Sequence, residues 1–292
     1  MLELSDGVTL NFTFPEVHET CMLDVTLMRA KRLPEDDTVR RIFRDYRLQS
    51  MPRFPLEHTE DYADKLPPEW VKHKGLLMPM YEDEALWLHL KSCFEYPFAV
   101  KVGAGKICAV SGLPWIRGLQ QGIRRDPDEK TMILQNYLVV PEQHSFDGFY
   151  EDAERSIVRQ FVAEPLGLGR TVEEERTGRA EYGGLQIEVF PLKGELWEKI
   201  LEEKAQQLQR GNTFRGPLFM RTLRSCGLGA GARLSQCVIQ DRRSIFDYDL
   251  KHSSRVFIHL MHPDDWTSLT GRPVPYKSLE NTPVNEDDCE FW

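Results

Sequence analysis

Hydrophobic and polar positions alternate with a period of two near the start of the chain. Within residues 2–14, LELS and VTLNFTF read as two short strands, and Asp6-Gly7 between them is a favoured hairpin pair. Residues 20–30, TCMLDVTLMRA, predict a third strand. The pattern then lapses. Residues 31–75 are polar and interrupted by Pro34, Pro52, Pro55, Pro67 and Pro68, which predicts a long connecting arm with one short helix near 38–46.

After Gly75 the apolar pattern returns in GLLMPMY and EALWLHLK, and FAVKVGAGKICAVSG reads as strand, Gly-rich turn and strand. YLVV at 137–140 and SIVRQFVA at 156–163 are almost continuously apolar, the pattern of central strands covered on both faces. In GGLQIEVFP, Leu185, Ile187 and Val189 fall on one side, and Gln186, Glu188 and Phe190 on the other.

Helical periodicity is clear over 195–210, where Leu196, Trp197, Ile200, Leu201 and Leu208 make one stripe and Gly211 supplies a stop. ARLSQCVIQD and SRVFIHLM read as further strands. A short helix is expected from Pro263, with Asp264 and Asp265 in its first turn, ending before Gly271. Strands outnumber helices and do not alternate with them as βαβ units require. The expected class is mainly β or α+β: antiparallel, sandwich-like sheets with one long helix near 195–210. One integrated domain is expected over 1–279, with 31–75 as its Pro-rich arm and 280–292 as an acidic flexible tail.

Composition narrows the function. Lys plus Arg is 37 and Asp plus Glu is 46, a formal charge of −9, which argues against nucleic acid as a partner. Arg40, Arg41, Arg44 and Arg47 are interspersed with Asp36, Asp37 and Asp45, so they read as a solvated mixed-charge segment. None of the six cysteines is in CxxC spacing, and no His/Cys cluster has the spacing of a zinc site. No apolar run approaches the roughly 18 residues of a membrane span, and MLELSDGVTLNF lacks the features of a signal peptide. A soluble cytoplasmic protein with reduced thiols is expected, its oligomeric state open.

Several motifs fail on inspection. Gly103-Ala104-Gly105-Lys106 lacks the first glycine and the Ser or Thr of a phosphate loop, with Val100 and Ile107 at those positions, and reads as a hairpin turn. Gly227, Gly229 and Gly231 precede a predicted strand, so no helix N-terminus follows to hold a pyrophosphate. His259 and His262 fall on opposite faces of an extended strand, and His259 reads as a hydrogen-bonded core residue, not a metal ligand. No metal or cofactor is expected.

The chemistry concentrates in 136–188. Glu142, His144 and Asp147 sit in the loop after YLVV, and Arg159 and Gln160 interrupt an apolar strand. A guanidinium buried mid-sheet requires a carboxylate, for which Asp147, Glu181 and Glu188 are the candidates. Such a set supports acid–base catalysis with Asp147 as acid/base or anchor, Arg159 as orienter, Gln160 as hydrogen-bonding group, and Glu142 and Glu181 in support. A purely structural ion-pair network is the competing reading.

PMYEDEALWLHL, FAVKVGAGKICAVSGLPW, QNYLVVPEQHSFDGF, VRQFVAEPLGLGRTVEEERTGRAEYGGLQIEV and two C-terminal blocks resemble an uncharacterised family of fungal and actinobacterial proteins, some of whose members carry a ubiquitin-like domain. The resemblance spans about residues 50–275 and implies one integrated fold; it brings no activity with it. Where the family has Pro-Trp-Leu before Asp-Gly, this chain has His144-Ser145-Phe146, so Asp147 and Gln160 remain as matching positions and His144 does not. The expectation is a metal-independent enzyme or enzyme-like pocket acting on a small polar metabolite. Two alternatives are a protein-interaction module using the Pro-rich arm and acidic tail, and a carbohydrate-binding sandwich using Trp70, Trp87 and Trp115.

Overall fold

Two sheets share one apolar core in the computed structural model, which describes residues 1–32, 51–125, 131–151, 157–179, 181–209, 233–234 and 236–278. The first sheet runs in the order β1 (Leu2–Ser5), β2 (Thr9–Thr13), β3 (Met22–Lys31), β6 (Glu84–Ser92), β14 (Val158–Val162) and β13 (Gly148–Tyr150). Two short strands add to it, β12 (Ser145–Phe146) on β6 and β16 (Arg233–Leu234) on β14. The second sheet runs β11 (Leu138–Val140), β7 (Phe98–Ala104), β15 (Leu185–Pro191), β17 (Ser254–Met261), β5 (Leu76–Pro79) and β4 (Glu57–His58), with β8 (Ile107–Cys108) on β7. A separate ribbon joins β9 (Ile123–Arg125) and β10 (Thr131–Ile133). All these pairings are antiparallel except β17 with β5. The protein is strand-rich, as the sequence pattern implies.

Local sequence explains several elements directly. Asp6 and Gly7 both take positive φ, 53° and 65°, and turn β1 into β2. The register pairs Ser5 with Thr9, so Asp6 to Val8 form a three-residue loop, closed by the Val8 amide donating to the Ser5 carbonyl at 3.1 Å. In β15, Leu185, Ile187 and Val189 enter the inter-sheet core while Gln186 and Phe190 are buried on the opposite face. The long helix spans Gly194–Gln209. It docks through Trp197, whose ring centroid lies 5.0 Å from that of Tyr96 and whose indole N–H donates to Thr20 at 3.2 Å. Burying a side chain of this size contributes on the order of 2–3 kcal/mol. The C-terminal helix, Pro263–Thr270, follows His262 at the N-cap and stops at Gly271.

Other expectations need correction. The YLVV strand, β11, lies at one end of its sheet, not at the centre. Its residues are nevertheless buried: Leu138 and Val140 enter the main core, and Val139 joins Tyr137 and Tyr248 beneath a second cluster. Among the described residues of ARLSQCVIQD, Arg233–Leu234 alone is strand, and Val238 onward runs without regular structure. The described part of the arm is more than a featureless connection. It contains β4, a 3-10 turn at Thr59–Lys65 and the helix Pro68–His73, and it buries Phe54 and Leu56. The helix expected near 38–46, the Gly227–Gly231 stretch and the 280–292 tail lie outside the described residues. Among the described residues, no helix is long and apolar enough to cross a membrane.

Candidate functional site

At one end the two sheets part around a cavity of about 950 Å³. The first sheet contributes Leu86, Phe149 and the β14 side chains from Arg159 to Val162; the second contributes Ala104, Leu185 and His259 to Met261. Three helical segments cover the gap: residues 65–70 at the start of Pro68–His73, the short helix Val172–Thr177, and the helix Pro263–Thr270. The volume lies near the top of the roughly 300–1,000 Å³ range of small-molecule pockets.

The Val172–Thr177 helix is held firmly. Thr171 caps it by accepting from the Glu174 amide, while the Glu174 carboxylate accepts from Thr171 and from the Gly167 amide at 2.6 Å. Those hydrogen bonds, led by the Thr171 hydroxyl, hold the Glu174 carboxyl below its ordinary pKa. Glu173, its neighbour, is only 1% exposed although it sits in an acidic run. Its Oε2 accepts from the Tyr182 amide at 2.9 Å and the Gly183 amide at 2.7 Å. Its Oε1 is buried and has no hydrogen-bond partner among the described residues. Gly105, at φ +55° in the β7–β8 turn, presses on this carboxylate; a Cβ there would lie 2.6 Å from Glu173 Oε2. The glycine of the rejected phosphate loop thus serves a close approach between two segments of the wall.

His259 forms another part of the wall. It is buried, its Nε2 donates to the Lys74 carbonyl at 3.0 Å, and its ring stacks on Trp70 with centroids 4.8 Å apart. Burial lowers its pKa from the ordinary 6.5, with the Lys74 carbonyl opposing. The expected hydrogen-bonded histidine is therefore present, but it also faces a cavity that its strand pattern does not announce.

The structure divides the predicted site residues. Arg159 and Gln160 both line the cavity. Gln160 is buried and donates to the Lys31 carbonyl at 3.2 Å. Arg159 is not the dry mid-sheet charge anticipated: its side chain is 43% exposed and pairs at 3.0 Å with Glu151, just beyond β13. The proposed partners are engaged elsewhere. Glu181 pairs with Lys106. Glu188 lies 3.5 Å from the buried Lys101, opposite it in the second sheet. Glu142 pairs with Arg243 at 3.5 Å, and neither Glu142 nor Glu181 lines the cavity. Asp147 sits between β12 and β13, its amide donating to Gln236 at 2.6 Å, and it too is absent from the cavity wall.

The three tryptophans named as a sugar surface sit in different settings. Trp70 lines the cavity, Trp87 is buried with Ala30 and Ala85, and Trp115 covers the ammonium of Lys101 at 4.1 Å from the ring centroid. Among the described residues, no group of three or more His, Cys, Asp or Glu side chains could hold a metal ion.

Sequence reasoning missed Glu173, Arg170 and His259 as wall residues. Thr171-x-x-Glu174 is a legible capping box, but nothing local separates the buried Glu173 from the exposed Glu175. Comparison of the chain with protein-family models, with curated proteins and with solved structures finds no match.

Proposed function

We propose that the protein binds a small polar metabolite in the cavity between the sheet ends and acts on it by acid–base chemistry. The observation that supports this reading is the buried Glu173 carboxylate, one oxygen of which has no hydrogen-bond donor among the described residues. Leaving such an acceptor unsatisfied costs on the order of 1–3 kcal/mol, so its retention calls for a reason beyond folding. A ligand N–H or O–H supplies that missing donor, and a carboxylate so placed is a suitable proton acceptor. Glu173 takes the role first assigned to Asp147; Arg159 and Gln160 keep theirs as ligand contacts on the wall.

The block that carries the family resemblance, VRQFVAEPLGLGRTVEEERTGRAEYGGLQIEV, supplies Arg159, Gln160, Glu173 and Gly183 to this one cavity. That coincidence supports a site at this end of the sandwich. The described cysteines Cys21, Cys93, Cys108 and Cys237 are free thiols, which agrees with a cytoplasmic setting.

The test is mass spectrometry of small molecules that stay with the natively purified protein. A compound retained by the wild type should be lost from Ala163→Phe, which adds bulk at the cavity wall, and weakened in Glu173→Gln. Equal retention by all three proteins would place the ligand elsewhere and sink the proposal.

A further inference from the structure

The cavity wall is charged unevenly. Arg32 is held by Glu164 at 2.6 Å and by the Glu82 carbonyl at 3.1 Å, and Arg159 is held by Glu151. Lys65 donates to the Leu269 carbonyl at 3.3 Å. Arg170 is different: it lines the cavity, and no hydrogen bond or ion pair reaches it among the described residues. It stands just before the helix cap Thr171, three residues from Glu173. Arg170, with an unengaged guanidinium, and Glu173, with a half-engaged and buried carboxylate, therefore both line this cavity from one short stretch of chain.

Resting on the pocket reading above, we infer that the ligand is zwitterionic: an amino-acid-type compound of short-peptide size, its carboxylate meeting Arg170 and its amino group meeting Glu173. A guanidinium matches a carboxylate in geometry as well as charge. A simple anion fits less well, because carboxylates on the wall outnumber cationic side chains by six to four. An amine alone would leave Arg170 without a counter-charge. Phe149, Phe161 and Leu185 form an apolar stretch of wall suited to a hydrophobic side chain. The volume of about 950 Å³ exceeds the needs of one amino acid and suits a di- or tripeptide.

The experiment is calorimetric titration of the full-length protein with the dipeptide Leu-Phe, its N-acetyl form, its C-terminal amide and the doubly blocked form. Wild type should bind Leu-Phe, and each single block should weaken binding by about tenfold or more, the loss expected for one charge-assisted hydrogen bond. Arg170→Ala should bind acid and amide equally, and Glu173→Gln should bind free and acetylated forms equally. Arg170 is exposed, so its variant carries the test even where Glu173→Gln fails to fold. Ala163→Phe should bind none of the four. Wild-type binding that ignores both blocks, yet is lost in Ala163→Phe, overturns the zwitterion and leaves the cavity reading standing. Absence of Leu-Phe binding at millimolar concentration also overturns it, and retention of a co-purifying compound then decides the cavity reading separately.

Discussion

Glu84→Gln should destabilise the protein more than removing Glu84 together with its partner. Glu84 opens β6 with none of its side chain exposed, and Arg29 on β3 is equally enclosed. Arg29 Nε donates to Glu84 Oε1 at 2.8 Å, its Nη2 reaches the same oxygen, and the Tyr81 amide donates to Oε2 at 3.1 Å. The guanidinium also donates to the Lys277 carbonyl at 3.1 Å and lies 3.5 Å from the centroid of the Tyr276 ring. Tyr276 in turn donates to the Pro79 carbonyl at 2.9 Å. One ion pair thereby ties β3, β6 and the C-terminal segment together beside Met80 and Glu82, both on the cavity wall. Neutralising one member of a buried pair strands the other charge, at roughly 3–5 kcal/mol. Glutamine keeps one acceptor, so about 3 kcal/mol is the appropriate figure, a fall in Tm of roughly 6–12 °C at about 2–4 °C per kcal/mol. In Arg29→Met/Glu84→Met no charge is left buried, and such exchanges are often neutral or stabilising. Urea denaturation at constant m-value measures both. A loss under about 1 kcal/mol in Glu84→Gln, or a double variant weaker than the single one, would refute the reasoning.

Two further predictions concern titration. His259 is buried as the neutral donor to Lys74, and its folded pKa lies below 6.5. Its contribution to stability is present above the unfolded value and is lost as pH falls through the folded one. Urea midpoints should therefore decline below pH 6.5, and a His259→Gln variant should show a shallower decline; identical slopes would refute the assignment. Tyr137 and Tyr248 both donate to Asp241 Oδ2 at 2.8 Å, and burial with that carboxylate raises both phenols above the ordinary 10. Tyr248→Phe should cost about 1.5–3 kcal/mol. That contribution should persist up to the ordinary tyrosine range and disappear as pH rises beyond it, which alkaline absorbance titration alongside unfolding would detect.

The parts of the fold legible in sequence are those whose signal is local. Asp6-Gly7 specifies its own turn, the apolar stripe around Trp197 specifies a helix face, and Pro263 and Gly271 bracket their helix from within. The continuous apolarity of YLVV reports burial on both faces correctly, but not whether a neighbouring strand or a loop supplies the cover. Here Tyr248, more than a hundred residues away, supplies part of it. The site is less legible still, because Leu66, Leu86, Arg159, Glu173 and Leu269 meet only when the sheets close. The apolar run around Arg159 implies a buried charge held by Asp147, Glu181 or Glu188, but the side chain is 43% exposed and pairs with Glu151. Its partner follows from the β13–β14 register, which sets Phe149 opposite Arg159 and brings Glu151 round just past the strand end.

Glu173 is where structure and chemistry separate most clearly. Its structural duty, accepting two amides from residues 182 and 183, falls entirely on Oε2. A single amide oxygen of glutamine could accept both bonds with no charge to bury. What glutamate adds is a formal charge and a second acceptor, and the fold around it does not use that acceptor among the described residues. The surroundings also hold the group in place: Gly105 admits no side chain, and the capping box fixes the helix that carries it. Burying a charge in a position so firmly fixed is destabilising by itself. On the proposed reading the missing donor belongs to a ligand bound in the cavity that Glu173 lines, and a Glu173→Gln protein that kept its fold while losing a bound compound would separate the two duties.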